Sequence, residues 1–439
     1  MTANGAGQSL PSRAEIAIIG GGIAGCASAC YLAGLGRDVV VLDKGPVAYE
    51  QSSRNWGWVH QQVRYPHLIP LAMRSIELWK GLSEALDSEL EWRQGGNLTV
   101  AYDATDLAEF ESISADAVAI GLEAVMLDRE GVLTLLPEMA GPFVGGLHVP
   151  GDGQANPHLV TAAFARAARA QGARIVEDCA VTEIAVAGDR VFGVVTERGT
   201  IAAETVLVAA GAWSSRLLRP IGVRFPQRSV RASVVRTVPL PRITELTAWG
   251  DHFTFRQDVE GRFILAGGSA SIYDLDLDLL RDLRHFAPMA WKNRKWVRVR
   301  AGRQLLRDIA SIVPGTGERR EFWQRRRTID PVPNPQAATH TIRQLRRTFP
   351  SLEGIGIESS WAGYIDSTPD QAPVIGPAGK YRGLHVLTGL SGHGFALGPA
   401  AAEMAAALIA GDLPRVDPSP FRIERFAAND LPALRAYRR

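Results

Sequence analysis

Residues 14–36 constrain this chain more than any other stretch. They open with the apolar run AEIAIIG, pass through Gly20-Gly21-Gly22-Ile23-Ala24-Gly25, and continue into an Ala- and Leu-rich segment. A run this apolar could be taken for a membrane-spanning helix. Its glycines argue otherwise, because glycine weakens a helix interior and marks turns. A buried strand over 14–19, a tight turn and a helix over 26–35 account for it better, so no membrane span is expected. The segment DVVVLD (38–43) then reads as a second buried strand of a βαβ unit.

Three glycines in this turn have separate tasks. Gly20 permits the tight turn, Gly22 lets the backbone approach a pyrophosphate, and Gly25 lets helix and strand pack closely. The N-terminus of the helix offers free N–H groups and a positive dipole to phosphates, and Ile23 and Ala24 of the turn before it are expected cofactor contacts. Asp43 ends the second strand at the distance expected of an acid that accepts ribose hydroxyls, and Lys44 follows it. A glycine turn with a structural role alone explains the strand, helix and acid less well than a dinucleotide site does. Cys26 and Cys30, one helical turn apart, read as small buried side chains of this helix.

A length of 439 residues suggests two domains. Net charge is +2, which excludes a global attraction to nucleic acid. Three cysteines (Cys26, Cys30, Cys179) make neither a disulfide framework nor a CxxC metal pair. A cytoplasmic location is expected. Residues 291–327 are locally basic. They read as a solvated face, with a docking site for an acidic protein partner as the sharper alternative.

Three further stretches carry a resemblance. The first is Gln51-Ser52-Ser53-Arg54-Asn55-Trp56-Gly57, followed by PLAMRSIELW (70–79). The second is TVLVAAGAWSSRL (205–217), with CAVTEI before it. The third is WAGYIDSTPDQAPVIG (361–376) with GLSGHGFALGPAAAE (389–403). In this order and spacing they resemble the D-amino acid oxidase/sarcosine oxidase family of FAD-dependent oxidoreductases, most closely its sarcosine oxidase β-subunit-like members.

The resemblance implies an α/β fold: a Rossmann-like FAD domain of the glutathione-reductase type, and a substrate domain built on an antiparallel sheet. The FAD domain is expected over 1–90, 150–215 and 360–439, and the substrate domain over 91–149 and 216–359. Cofactor contacts are expected from Ser52, Ser53, Arg54, Asn55, Val181 (beside the adenine), Ala210, Gly211, Gly363, Gly392, His393, Gly394 and Phe395. Family members with covalent flavin carry Cys or His where this chain has Gly363 and Arg54-Asn55-Trp56. Noncovalent FAD is therefore expected.

By the same resemblance, the reaction removes a hydride from the carbon beside an amine nitrogen, passes it to flavin N5, and yields an imine that hydrolyses. Trp56, Trp58 and Tyr364 are the expected aromatic walls for a small-molecule amine, and His393 the residue that positions the turn or moves a proton. Positions that hold a carboxylate-binding cation in some relatives are Ile365 and Ala396 here. His60, Arg64, His252, Arg256 and Arg303 are the candidate replacements. Oxygen-using sarcosine oxidases place a Lys over the flavin, whereas RFILAGG (262–268) has none. The acceptor is then O2 or another carrier, with a lean toward a dehydrogenase. The alternatives are a 2-hydroxy acid or polyol dehydrogenase, and an FAD-bearing subunit inactive alone.

Overall fold

The structure is a computed structural model that describes residues 9–61, 65–251, 253–266, 271–274, 282–292, 297–300, 327–428 and 431. Most of the basic segment, and Arg64, His252, Arg303 and residues 267–268 of RFILAGG, lie outside these.

The apolar run at the N-terminus forms the strand Arg13–Ile19 and the helix Ile23–Gly34, separated by the glycine turn. The strand pairs in parallel with Val39–Leu42 on one side and Gly199–Val208 on the other. Arg174–Val176 extends the sheet beyond the former, and Leu384–Thr388 beyond the latter, both in parallel. Parallel strands are covered on both faces, and all four residues of Val39–Leu42 are accordingly buried. The hairpin Val181–Ala187 and Arg190–Thr196 adds to Gly199–Val208 in antiparallel fashion.

Helices Ile23–Gly34, Ile69–Ala85, Pro157–Ala170 and Gly394–Ala410 share one core on one face of this sheet. Small residues allow the close crossing: a Cβ on Gly398 would lie 2.9 Å from Ile23 Cδ1. Cys26 and Cys30 are buried in this core as free thiols. No helix among the described residues is long and apolar enough to cross a membrane.

The second sheet is mainly antiparallel and has ten strands among the described residues. Alternation along Thr254–Gln257 and Arg262–Ala266 sets its two faces. Phe255, Phe263 and Leu265 pack with Ala338, Ile342 and Leu345 of the helix Pro335–Thr348. Ile264 and Ala266 face the opposite way, beside Val234, Trp56 and Trp361. The strand Ile357–Ser367 pairs with Arg228–Pro239 over nearly its whole length, from Arg228↔Ser367 to Thr237↔Ile357. The domain boundary expected at 360 falls inside this strand. It carries residues 363–366 from the second sheet into the cavity of the first.

Candidate functional site

A cavity is lined by the glycine turn and by residues of the second sheet. Gly20, Gly22, Ile23 and Ala24 line its first part. Gly20 has φ +113°, and a Cβ there would sit 2.4 Å from the Ala209 carbonyl oxygen. Gly25 lies behind the wall, where a Cβ would meet the Gly20 carbonyl oxygen at 1.9 Å. Both positions exclude any side chain, for the reasons the motif implies.

Asp43 and Lys44 stand beside this turn and line the cavity. The Asp43 carboxylate accepts from Gly21 N–H at 2.6 Å and from Gly45 N–H at 2.8 Å. It thus braces the turn and keeps further lone pairs for a ligand. Desolvation raises its pKa against the effect of those two amides. Lys44 Nζ lies over the Trp213 ring, 3.5 Å from its centroid. Val181 lines the wall near Ala180 and Leu42.

Ser52 Oγ accepts from Ile23 N–H at 2.9 Å and so caps the helix that begins there. Arg54 and Asn55 also line the cavity. Arg54 donates to Asp330 and to the Ala362 carbonyl, at 2.7 and 2.9 Å. Ser53 turns away instead, donating to the Tyr49 carbonyl at 3.0 Å on an exposed side.

Ala210, Gly211, Gly363, Tyr364, Ile365, Gly392, Gly394 and Phe395 also line the wall, with Trp56. A Cβ on Gly363 would lie 3.1 Å from Arg54 Cβ, so a Cys there would press on the Arg54 stem. Trp58 is buried behind Trp56, their rings 5.1 Å apart, and Trp249 packs on both. His393 is the residue before the helix Gly394–Ala410. Its ring meets His60 at 5.7 Å and Tyr65 at 5.6 Å, outside the lining. Its Nε2 is buried without a hydrogen-bond partner among the described residues. Desolvation, then the neighbouring His60 and His67, hold its pKa well below the usual imidazole value, so the ring is neutral.

The two neutral positions differ. Ile365 faces the cavity. Ala396 does not: it lies in the helical core, and its carbonyl accepts from Ser75 Oγ and Trp79 Nε1. Arg256 is buried, donates through Nε to the Trp56 carbonyl and through Nη1 to Gln154 Oε1, and does not line the cavity. Burial lowers its pKa to about 10.

Sequence reasoning missed several lining residues, Glu50 and Asp366 among them, and quoted Gln51 in the loop without giving it a role. Gln51 Nε2 is buried with no hydrogen-bond partner among the described residues, a donor waiting for a ligand acceptor. Asp366 is buried, and desolvation raises its pKa to about 6 against the Gly389 N–H bond of 2.8 Å. Its position four residues before Asp370 in the quoted motif was visible, but its burial was not.

These residues fit FAD. Bare glycine backbone and a helix N-terminus suit the pyrophosphate, Asp43 suits the ribose, and Gln51 supplies an unused donor. The cavity then reaches the second sheet, where a substrate can meet the ring system. This combination defines an FAD-dependent oxidoreductase.

Residues 15–408 match the family described as DAO, FAD dependent oxidoreductase, and the chain belongs to it. It is 25% identical to a D-amino acid dehydrogenase of Bradyrhizobium diazoefficiens, over 94% of this chain and 99% of that one. It is 28% identical to human mitochondrial sarcosine dehydrogenase, over 97% of this chain but only 43% of that longer protein. In structure it is similar to L-amino acid deaminase from Proteus myxofaciens in complex with anthranilate. That match has a TM-score of 0.91 at 25% identity and covers 97% of this chain and 96% of the other. The protein is an oxidoreductase that uses FAD to oxidise an amino acid or amine.

Proposed function

We propose that the protein oxidises the carbon–nitrogen bond of a bulky, largely apolar amine or amino acid, with noncovalent FAD. When bound, FAD accepts the hydride from the carbon beside the nitrogen. The observation that carries this reading is the part of the cavity wall that comes from the second sheet. The second sheet contributes Ala232, Val234, Gly363, Tyr364 and Ile365 to it, all uncharged, and Asp366, which is tied to Gly389. Trp56 completes the apolar surface, and Arg256 holds Trp56 by its carbonyl from behind.

Such a wall favours the neutral amine and orients an apolar body by packing. A small carboxylate substrate would lie against it without a cation at position 365 or 396. The strand Arg262–Ala266 turns Ile264 and Ala266 toward Trp56, which supports an acceptor other than O2.

The test is an anaerobic screen of the FAD-loaded protein that follows loss of the visible flavin bands. Amines and amino acids with aromatic or branched side chains should bleach the flavin much faster than sarcosine or D-alanine. Rapid bleaching by sarcosine or D-alanine would overturn the reading, and bleaching by 2-hydroxy acids alone would replace the substrate class.

A further inference from the structure

Residues 327–334 cross from the first sheet to the second along the outer side of the cofactor loop, residues 43–57. Arg327 Nη2 donates to Glu197 Oε2 at 2.8 Å, and Nη1 donates to Glu197 Oε1 and to the Lys44 carbonyl, the latter at 3.2 Å. Glu197 is only 11% exposed and also accepts from Ala180 N–H at 2.9 Å. Two residues on, Ile329 N–H donates to Glu50 Oε1 at 2.8 Å. Asp330 pairs with Arg54 at 2.7 Å. Asn334 N–H then donates to Ser233 Oγ at 3.0 Å, on the second sheet. Backbone meets backbone as well: a Cβ on Gly45 would lie 2.8 Å from the Arg327 carbonyl oxygen.

The loop residues held in this way, Lys44, Glu50 and Arg54, all line the cavity, and no residue of 327–334 does. The segment therefore touches the loop from behind and the cofactor not at all. Surface loops open with far smaller free energies than core strands, so whatever ties this loop down governs its opening. The ties here are charge-assisted and partly buried, which makes them stronger than ordinary surface contacts.

We propose that residues 327–334 are a latch that holds the FAD loop shut and sets the rate of cofactor exchange. A latch of this kind has a kinetic signature. Loss of a direct cofactor contact acts mainly on release and weakens binding by the same factor. Loss of a latch speeds entry and exit together and leaves Kd nearly in place.

The experiment uses the full chain, loaded with FAD and as apoprotein prepared from it. FAD release on dilution is followed by recovery of flavin fluorescence, and rebinding by its quenching. In Arg327→Ala both rates should rise about tenfold, with Kd within about threefold, as expected for loss of one charge-assisted tie. Glu197→Gln, which weakens the same contact from the other side, should shift both rates in the same direction. Thermal unfolding of both apoproteins is measured alongside. Unchanged exchange rates in both variants would overturn the latch. So would a faster release matched by an equal rise in Kd, which would make Arg327 a contributor to affinity. Failure of both apoproteins to fold would make the pair a fold contact and overturn it too.

Discussion

Arg425 and Asp370 form a two-bonded ion pair with each side chain only 1% exposed. The bonds are Nε to Oδ2 at 2.7 Å and Nη2 to Oδ1 at 3.2 Å. The carbonyls of Phe421, Arg422 and Ala372 accept the other guanidinium hydrogens. A buried pair costs desolvation, and it persists where the remaining donors are satisfied, as they are here. The pair fastens the turn at residues 366–372 to the C-terminal segment. That turn carries Asp366 into the cavity, and Thr368 in it donates through its N–H to Ser391 Oγ and through Oγ1 to the Ala372 carbonyl.

Removal of one partner leaves the other charged and buried. Arg425→Ala should therefore destabilise the protein by about 3–5 kcal/mol. Urea unfolding at fixed FAD concentration measures this. A loss below about 1 kcal/mol, the range of surface pairs, would show that the pair does not hold the turn.

Asp43→Ala should weaken FAD binding by about 1.5–3 kcal/mol for each charge-assisted bond to the ribose that is lost. It also leaves Gly21 and Gly45 N–H without their acceptor, so the glycine turn loosens. Fluorescence titration of the apoprotein with FAD reads the affinity. An unchanged Kd would show that Asp43 serves the turn alone.

Asp152 is 2% exposed, and desolvation raises its pKa from 3.8 to about 8, although Gln61 donates two bonds to its Oδ1. Between these values the folded protein keeps a proton that the unfolded chain has lost. The stability this residue contributes is therefore full below pH 3.8 and is lost as pH rises toward about 8. Asp152→Asn, which stays neutral, should gain on the wild type over that window by roughly 1 kcal/mol per pH unit. Denaturant melts of both proteins across this range check the slope, and parallel curves would contradict it.

Ala396→Lys places a cation where some relatives have one. Here the side chain would enter a core beside Trp79 and Phe395. It should destabilise the protein by at least the 1–3 kcal/mol typical of overpacking, about the lower bound for a buried ammonium. Sarcosine turnover should not improve. Thermal melts and kcat/KM on sarcosine decide this, and a stable variant with raised turnover would show that position 396 reaches the substrate.

The sequence by itself determined the dinucleotide unit. Strand, glycine turn, helix and Asp43 are consecutive, and the requirement at Gly25 arises from the Gly20 carbonyl five residues away, so local pattern is enough there; the one at Gly20 arises from the Ala209 carbonyl of a distant strand end. The order of the segments at 51–57, 205–217 and 361–403 likewise disclosed the FAD family, because those runs keep their local geometry. Only the tertiary structure decided which side chains face the cavity. Ser53 and Ser52 are neighbours in one short helix, yet one caps a helix in the cavity wall and the other turns out to Tyr49. Ala396 follows Phe395 in the same core, yet Phe395 lines the cavity and Ala396 does not. Arg425 finds Asp370 across 55 residues, and Glu50 finds Ile329 across 279. Such contacts depend on how separate sheets and helices pack, and periodicity carries information only about the element it runs through.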